Sequence, residues 1–573
     1  MSCRLLISTT SRIVSLSRSG LLSSARLLFD QLPERDTVAW NAMLAAYSGA
    51  GHPSHTISLF SAMRTSSSPP DAFSLTSVIA AAADLHDLRT GEMLHSLSLR
   101  SGLCASVPVS NCLVDMYGKC SFPSNAKKVF EEIKERNEVS WCSFLHGLVI
   151  SGLLDEACDV FCNMPMRNLI AWNIMIMGFA CSNSPEKSGS LFKDMLKLGF
   201  KGDVLTFVSL VNSYAELSDP CFGQMIHALI IQDGWIDAVE VSNSVLSFYA
   251  RFGHYFDALR IFDSMNTRTH VSWNAMIDVH LRHGDVKGAV GLFWEAPEIN
   301  IVSWTTMIAG FAQNALGKEA LLYFVNMLRN LQIPDDITFG AVLLACATLT
   351  VLRNGLMVHG CLVCHGFESF VYVANGLVNM YAKCGDIKSS CKVFDEIIAK
   401  DLVSWNAVIF GLAVHGWAQK ALKVFEDMIS DRVQPDKLTF LGLLMACCHS
   451  GLVEQGMGFL SSMNSVHQIS PDADHVTCVI DMLGRAGRLR EAAILLDYFS
   501  DSVKDKHAGY WESLLCASII HQDVNLAMAI GEQFMNLEPQ METSYVFCCQ
   551  IYTASVGTGR KQRILGGQWL IGQ

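Results

Sequence analysis

The sequence has no surplus of basic residues. Lys and Arg number 42 against 54 Asp and Glu, a formal net charge of −12. That excludes a protein held to nucleic acid by bulk electrostatics, though not one that reads nucleic acid through other contacts. Nor is there a long hydrophobic run. No uninterrupted apolar stretch approaches the ~20 residues of a membrane helix; the longest candidate, Phe339 to Leu352, is short and carries Thr348 and Thr350. Charge of either sign is scarce, at 17% of residues against 50% hydrophobic, which excludes an intrinsically disordered chain. The mean hydropathy is +0.29, so with no spanning segment the apolar residues must be buried within the protein. A secretory signal with an apolar core and a small-residue cleavage site is also missing. The 20 cysteines therefore read as small buried hydrophobes in a reducing compartment, not as a disulfide framework. Acids are absent from residues 1–29, which carry Arg4, Arg12, Arg18, Arg26 and eight serines. That is the composition of an organelle transit segment, with residues 1–14 as its core and an extent to about residue 29.

What the chain has in abundance is repetition. Trp segments recur as VAWNAM at Trp40, VSWCSF at Trp141, IAWNIM at Trp172, VSWNAM at Trp273, VSWTTM at Trp304 and VSWNAV at Trp405, spaced 101, 31, 101, 31 and 101 residues apart. The longer gaps subdivide through PDAFSLTSVI, GDVLTFVSLV, PDDITFGAVL and PDKLTFLGLL, then VPVSNCLVDMYGKC, VEVSNSVLSFYARF and VYVANGLVNMYAKC. Repeats of 35, 35 and 31 residues result, with an extra 31-residue repeat inserted twice. Their starts are Thr37, Ala72, Val107, Glu138, Leu169, Val204, Val239, His270, Ile301, Asp336, Val371, Leu402, Lys437 and Ala473. A partial repeat, residues 15–36, precedes the array of about fourteen at 37–504.

Each repeat reads as two helices. From Leu402 the first apolar set is Val403, Trp405, Val408, Ile409 and Leu412, intervals that suit a helical face better than strand alternation. Gly416 marks the turn, and Ala421, Leu422, Val424, Phe425 and Met428 form the stripe of a second helix. No repeat can bury its own apolar face, so neighbours must stack. The expected fold is an all-α, right-handed superhelical solenoid with one long core, not the four globular domains that length alone suggests.

Repeats of 31 and 35 residues with VSWNAMI, PDxxTFxxVL, LVNMYAKCG and KVFDEI resemble pentatricopeptide repeats, and the alternating lengths resemble the plant PLS subclass. The resemblance covers roughly Ser15 to Pro539. Residues 505–540, with WESLLCASIIHQDVNLAMAIGEQFMNLEP, are similar to that subclass's E-type extension. Tetratricopeptide repeats hold a period near 34 and lack this alternation. The resemblance implies sequence-specific binding of single-stranded RNA in an organelle, one base per repeat. It also implies a groove lined by first helices, where a small polar side chain meets a base edge and apolar side chains of adjacent repeats sandwich its faces. Neither a membrane nor DNA is an expected partner, and no cofactor is implied.

In the family the fifth and last residues of a repeat choose the base. Here Asn41 with Asp71, Asn173 with Asp203, Asn375 with Asp401 and Asn406 with Asp436 resemble uracil-preferring pairs. Asn111 with Asn137 and Asn274 with Asn300 resemble cytosine-preferring pairs, and Thr305 with Asp335 a guanine-preferring one. Asn243 with Thr269 is a weak pyrimidine pair, and Thr477 holds the fifth place of the repeat from Ala473. The long repeats present Thr76, Val208, Gly340 and Leu441 there; Val, Gly and Leu have no group for a base edge, so these read as spacers. Cys142 is also a poor reader. Considered singly, an Asp before a repeat is equally a helix N-cap; the regular division between reader and spacer repeats favours recognition.

Such repeats with an E-type end imply a site-recognition factor for C-to-U editing of organelle transcripts. By the family's register the repeat from Ala473 lies four nucleotides before the edited cytidine. A zinc deaminase needs an H-x-E motif, and none occurs in the chain. The enzyme would act in trans, and this chain would be no enzyme. The alternatives are a factor for transcript stabilisation, splicing or translation, and a protein-binding scaffold of the tetratricopeptide kind. The compartment is read as the mitochondrion, with the chloroplast as alternative. Cys361, Cys364 and His365 match a c-type haem string, but Leu97, Arg100 and Ser101 replace them in one sister repeat and Leu229, Gln232 and Asp233 in another, which marks drift on a repeat helix. His95, His227 and His359 recur at one place in the long repeats and read as structural. Cys158 and Cys162 read as packing. Residues 541–573 depart from the family, ending in TASVGTGRKQRILGGQWLIGQ with four glycines and no acid, and read as a divergent or truncated tail.

Overall fold

The computed structural model describes residues 3–32, 35–66, 68–182, 184–215, 221–502 and 508–537; the tail at 541–573 lies outside them. Among the described residues every regular element is helical. Each of the fourteen repeat starts read from the sequence is the first residue of a helix. The reason is local. Asp36, Asp71, Asn137, Asn168, Asn300, Asp335, Asp401, Asp436 and Asp472 each precede such a helix, and each side chain accepts the N–H three residues on. That satisfies an N–H that would otherwise lack a partner at the helix start. Gly416, at φ +71°, makes the turn inside the repeat from Leu402, where a side chain would be strained.

Helix pairs lie at both ends of the array. The first consists of Cys3–Arg18 and Leu22–Asp30, starting ahead of the partial repeat read at residues 15–36. Ile13 inside it is fully buried. At the other end Ala508–Ile520 and Val524–Leu537 form one more pair of the same design, with Tyr510 and Leu514 buried. One assignment is corrected. Val403, placed on the apolar face of its helix, is 59% exposed, whereas Trp405, Val408, Ile409 and Leu412 are buried.

The described residues fall into two compact halves, divided between Val279 and His280. Within each, first helices stack on first helices of neighbouring repeats and second helices pack against one side. The first helices are therefore buried on most sides. Leu402–Val414 buries eight residues, but Ala418–Ser430 buries only Ala418, Ala421, Val424 and Met428.

One contact recurs along the core. Trp40, Trp141, Trp172, Trp273, Trp304 and Trp405 each meet edge-on a Phe from the second helix before: Phe29, Phe130, Phe161, Phe262, Phe293 and Phe394, at 4.8–5.2 Å between centroids. Such pairs contribute about 0.5–1.5 kcal/mol beyond their area. Arg35, Arg136, Arg167 and Arg268 then cover those Phe rings at 4.4–4.9 Å. Their guanidinium groups also donate to the last carbonyls of the second helix, as from Arg167 Nε to Phe161 O at 3.1 Å. The cation thus closes a helix end and an aromatic pair together.

In the long repeats His95, His227 and His359 share hydrogen bonds with Tyr117, Tyr249 and Tyr381 of the following repeat, at 2.9, 3.0 and 2.7 Å. The structural reading of these histidines holds. Burial pushes each imidazole below the ordinary histidine value.

Two outcomes follow for stability. Where helices Val107–Lys119 and Glu138–Ile150 cross, a Cβ on Gly118 would lie 2.5 Å from Gly147 Cα, whereas one on Gly291 would meet nothing within 4 Å. Gly291→Ala is expected to stabilise by about 0.5–1 kcal/mol, the ordinary helix-interior gain, and Gly118→Ala to lower the melting temperature. Thermal unfolding of the two variants checks the pair. For the histidines, the native state binds fewer protons than the unfolded chain between the lowered native value and about 6.5. Their contribution is complete above about pH 6.5 and is lost as pH falls through the native values. The variant H95Q/H227Q/H359Q should therefore lose less thermal stability than the native chain between about pH 7 and pH 5; an unchanged slope would contradict this.

Candidate nucleic-acid interface

The fifth residue lies one turn into each first helix, and the last residue stands at the N-cap position of the next repeat's first helix, where an Asp or Asn caps it with its side chain. Stacking brings the two together across 26 or 30 residues of chain. Asn41 Nδ2 donates to both carboxylate oxygens of Asp71 at 3.0 and 2.9 Å, and Asn173 Nδ2 to both of Asp203 at 2.9 and 3.1 Å. Asn375 donates to Asp401 at 3.0 Å and Asn406 to Asp436 at 3.1 Å. Asn111 reaches Asn137 at 3.2 Å, and Asn243 reaches Thr269 at 3.4 Å, the longest of the set. Cap and partner are thus one side chain: Asp436 Oδ1 also accepts the Thr439 N–H at 2.8 Å. Burial pushes the Asp401 carboxyl up, but hydrogen bonds from Ser404 and Asn375 outweigh it and hold the group below the usual carboxylate range.

Other sequence-designated residues are arranged differently. Thr305 is joined to Asp335 through Thr338: the two threonine hydroxyls lie 2.6 Å apart, and Thr338 donates to Asp335 Oδ1 at 2.6 Å. Asn274 is buried in the first half, and Asn300 caps Ser303 in the second. The Thr477 hydroxyl turns back to Ala473 O at 2.8 Å. Among the spacers, the Thr76 hydroxyl turns back to Phe73 O at 2.9 Å. A Cβ on Gly340 would lie 2.4 Å from the Tyr372 ring, so glycine there lets that ring lie across the helix. Cys142 Sγ approaches Asn168 Oδ1 at 3.6 Å.

The second residue of the repeat went unassigned in the sequence reading. In the first half Val38, Phe73, Val139, Ile170, Leu205 and Val271 are 47–76% exposed; in the second Val302, Ile337, Tyr372, Val403 and Leu438 are 55–59% exposed. A large apolar side chain thus recurs in water at the same place in eleven of the fourteen repeats, whereas the repeats from Val107, Val239 and Ala473 carry Pro108, Glu240 and Asp474 there; such a recurring exposed stripe has the character of an interaction surface. The signal was present in strings such as VSW, where the Trp takes the core and its neighbour two residues earlier cannot. Tyr372, Val403 and Leu438 of this set border a cavity of about 660 Å³, whose lining also includes Asn375, Lys383, Asp401 and Asn406. Polar readers and apolar side chains therefore share one concavity, the combination expected of a pocket for a flat, hydrogen-bonding ligand.

Among the described residues no group of three metal-ligating side chains gathers, and no helix is long and apolar enough to cross a membrane. His365 Nδ1 is engaged with the carbonyl of Cys361, one turn back.

Known proteins give the arrangement its context. A family model described as PPR repeat matches residues 38–67, 109–138, 139–169, 170–200, 240–269, 271–301, 302–330 and 372–402, and one described as PPR repeat family matches 400–449. A mitochondrial pentatricopeptide repeat-containing protein of Arabidopsis thaliana is 45% identical over 559 residues, 97% of this chain and 89% of the relative. A second mitochondrial one from the same plant is 32% identical, over 93% of this chain and 72% of the relative. A chloroplastic one is 30% identical over 93% of this chain and 58% of the relative. In fold the chain is similar to PPR10 from maize, with a TM-score of 0.51 at 16% identity over 97% of this chain and 87% of that one. It is also similar to PPR10 in complex with an 18-nucleotide psaJ RNA element, with a TM-score of 0.53 at 18% identity over 93% and 84%.

Proposed function

This chain belongs to the pentatricopeptide repeat family, and we propose that it binds single-stranded organelle RNA by sequence and marks sites for C-to-U editing. The observation that carries the reading is the joined pair at the fifth and last places, recurring in an array where eleven of the fourteen repeats also expose a large apolar second residue. A splayed base would slip its faces between second residues of neighbouring repeats, as between Tyr372 and Val403, and set its edge against the amide between them. Neutral amides and apolar faces need no basic groove, which reconciles RNA binding with a net charge of −12. Reader repeats alternate with repeats whose fifth residue is Val208, Gly340 or Leu441. This alternation and the helix pair at 508–537 support the PLS subclass with an E-type extension. The deaminase would be a separate protein, docked on that extension. The compartment is the mitochondrion, in keeping with the acid-free residues 1–29 and the mitochondrial relatives.

In this register the repeat from Leu402 reads U at −6, that from Val371 reads U at −7 and that from Ile301 reads G at −9. Crosslinking the protein in the organelle and sequencing bound RNA should recover sites with those bases before an edited cytidine. Stable protein partners with no RNA would sink the RNA reading, and bound RNA with editing intact in a loss-of-function line would sink the editing role. In vitro, Asn406→Thr should shift the preference at −6 from U toward G, with a loss of ~1–3 kcal/mol for U-containing RNA; indifference to the base would refute the register.

A further inference from the structure

In several repeats the third residue of the following repeat also touches the reader. Thr206 Oγ1 lies 2.6 Å from Asn173 Oδ1 and 2.8 Å from Asp203 Oδ1, and Thr439 Oγ1 lies 2.7 Å from Asn406 Oδ1 and 2.9 Å from Asp436 Oδ1. Ser140 reaches Asn111 Oδ1 at 2.7 Å and Ser272 reaches Asn243 Oδ1 at 2.6 Å. Thr338 is the bridge between Thr305 and Asp335. We propose that this third-place hydroxyl is a specificity-positioning residue, holding the fifth-place side chain at one orientation toward the base; the inference rests on the RNA-binding reading above.

The chemistry is that of an amide with two ends. An Asn side chain offers a carbonyl oxygen and two N–H donors. In the repeat from Leu402 one Nδ2 hydrogen goes to Asp436 and Oδ1 takes the Thr439 hydroxyl. The remaining N–H is the group left for a base, and a carbonyl edge such as that of uracil accepts it. Turning the amide over would break both bonds and set its oxygen against a carboxylate. In the repeats from Thr37 and Val371 only half of this holds: Ser74 donates to Asp71 Oδ1 at 3.1 Å, and Asn41 Oδ1 has no partner. Ser404 donates to Asp401 Oδ1 at 2.8 Å, and the buried Asn375 Oδ1 has no partner.

The pattern along the chain separates this role from helix capping. Ser or Thr occupies the third place after Asn41, Asn111, Asn173, Asn243, Asn274, Thr305, Asn375 and Asn406. After Thr76, Val208 and Gly340 the third residue is Val109, Val241 or Val373, and after Cys142 it is Ala171. Capping alone does not demand the hydroxyl. Asp36 and Asn168 cap their helices onto Ala39 and Ala171, and neither helix follows a polar reader of this kind.

The test uses the full-length chain and a pool of single-stranded RNA of random sequence, selected separately by each variant, with thermal stability measured alongside. Thr439→Val is expected to cut the uracil-over-cytosine preference at the Asn406 position about tenfold, the lower range for one base-edge contact, and to leave the Asn375 position unchanged. Thr439→Ser restores the preference. Ser404→Ala removes an equivalent capping hydroxyl and should lower stability comparably, with the preference at the Asn375 position near native. If Thr439→Val discriminates as sharply as the native chain, the positioning role is wrong while RNA recognition stands. If the native chain enriches no sequence, both fall.

Discussion

The boundaries that follow paired Asn residues turn on one side chain with two partners. Asp436 accepts the N–H of Thr439 at the start of one helix and the amide of Asn406 from the helix before. Asp71, Asp203, Asp401 and Asn137 do the same. A cap of this kind is worth about 1 kcal/mol, and a hydrogen bond to a charged group about 1.5–3 kcal/mol. Helix start and reader orientation are thereby one structural event. The geometry survives a change in repeat length because the difference is absorbed elsewhere. The second helices Pro53–Thr65 and Pro185–Lys197 have 13 residues where Pro123–Glu132 and Leu154–Asn163 have 10. The added turn lies away from the pair and leaves it undisturbed.

This explains which parts of the molecule were legible in its sequence. Repeat starts were, because the capping residue and the Trp segment mark them within the same few residues. The proximity of the fifth and last residues was, because fixed places in a repeat become neighbours once repeats stack. The second residue was not. Apolar periodicity counts Val403 with the core, and only its neighbours show that Trp405 and Val408 already fill the face. The third residue was hidden differently: Ser and Thr there complete capping boxes, so a cap accounts for them until Asp36 and Asn168 show a cap without one. The aromatic clamp was the hardest to see, since Phe161, Arg167 and Trp172 stand on three segments that only packing joins.

Composition acquires a structural meaning on this scaffold. A hydropathy of +0.29 arises from first helices buried on most sides plus an apolar stripe left in water. Among the described cysteines Cys162, Cys181, Cys221 and Cys364 are exposed, but Cys142, Cys346, Cys391, Cys447 and Cys448 are buried, and burial pushes the Cys346 thiol up to about 12 and the Cys112 and Cys447 thiols to about 11. Such thiols hold little thiolate at neutral pH and behave as small hydrophobes.

The acidic balance bears on selectivity. A basic groove attracts any polyanion, and its contacts carry no sequence information. On the proposed reading, the carboxylates of Asp71, Asp203, Asp401 and Asp436, which stand beside the fifth-place amides, would oppose a phosphate backbone drawn in without a matching base. A base would then have to supply the favourable free energy through its edge and faces. The reader's orientation then matters more than it would in an electrostatic clamp, because no large non-specific term masks a misdirected amide. Small neutral hydroxyls suit that task, since they fix direction without adding charge to a groove whose discrimination depends on having little positive charge.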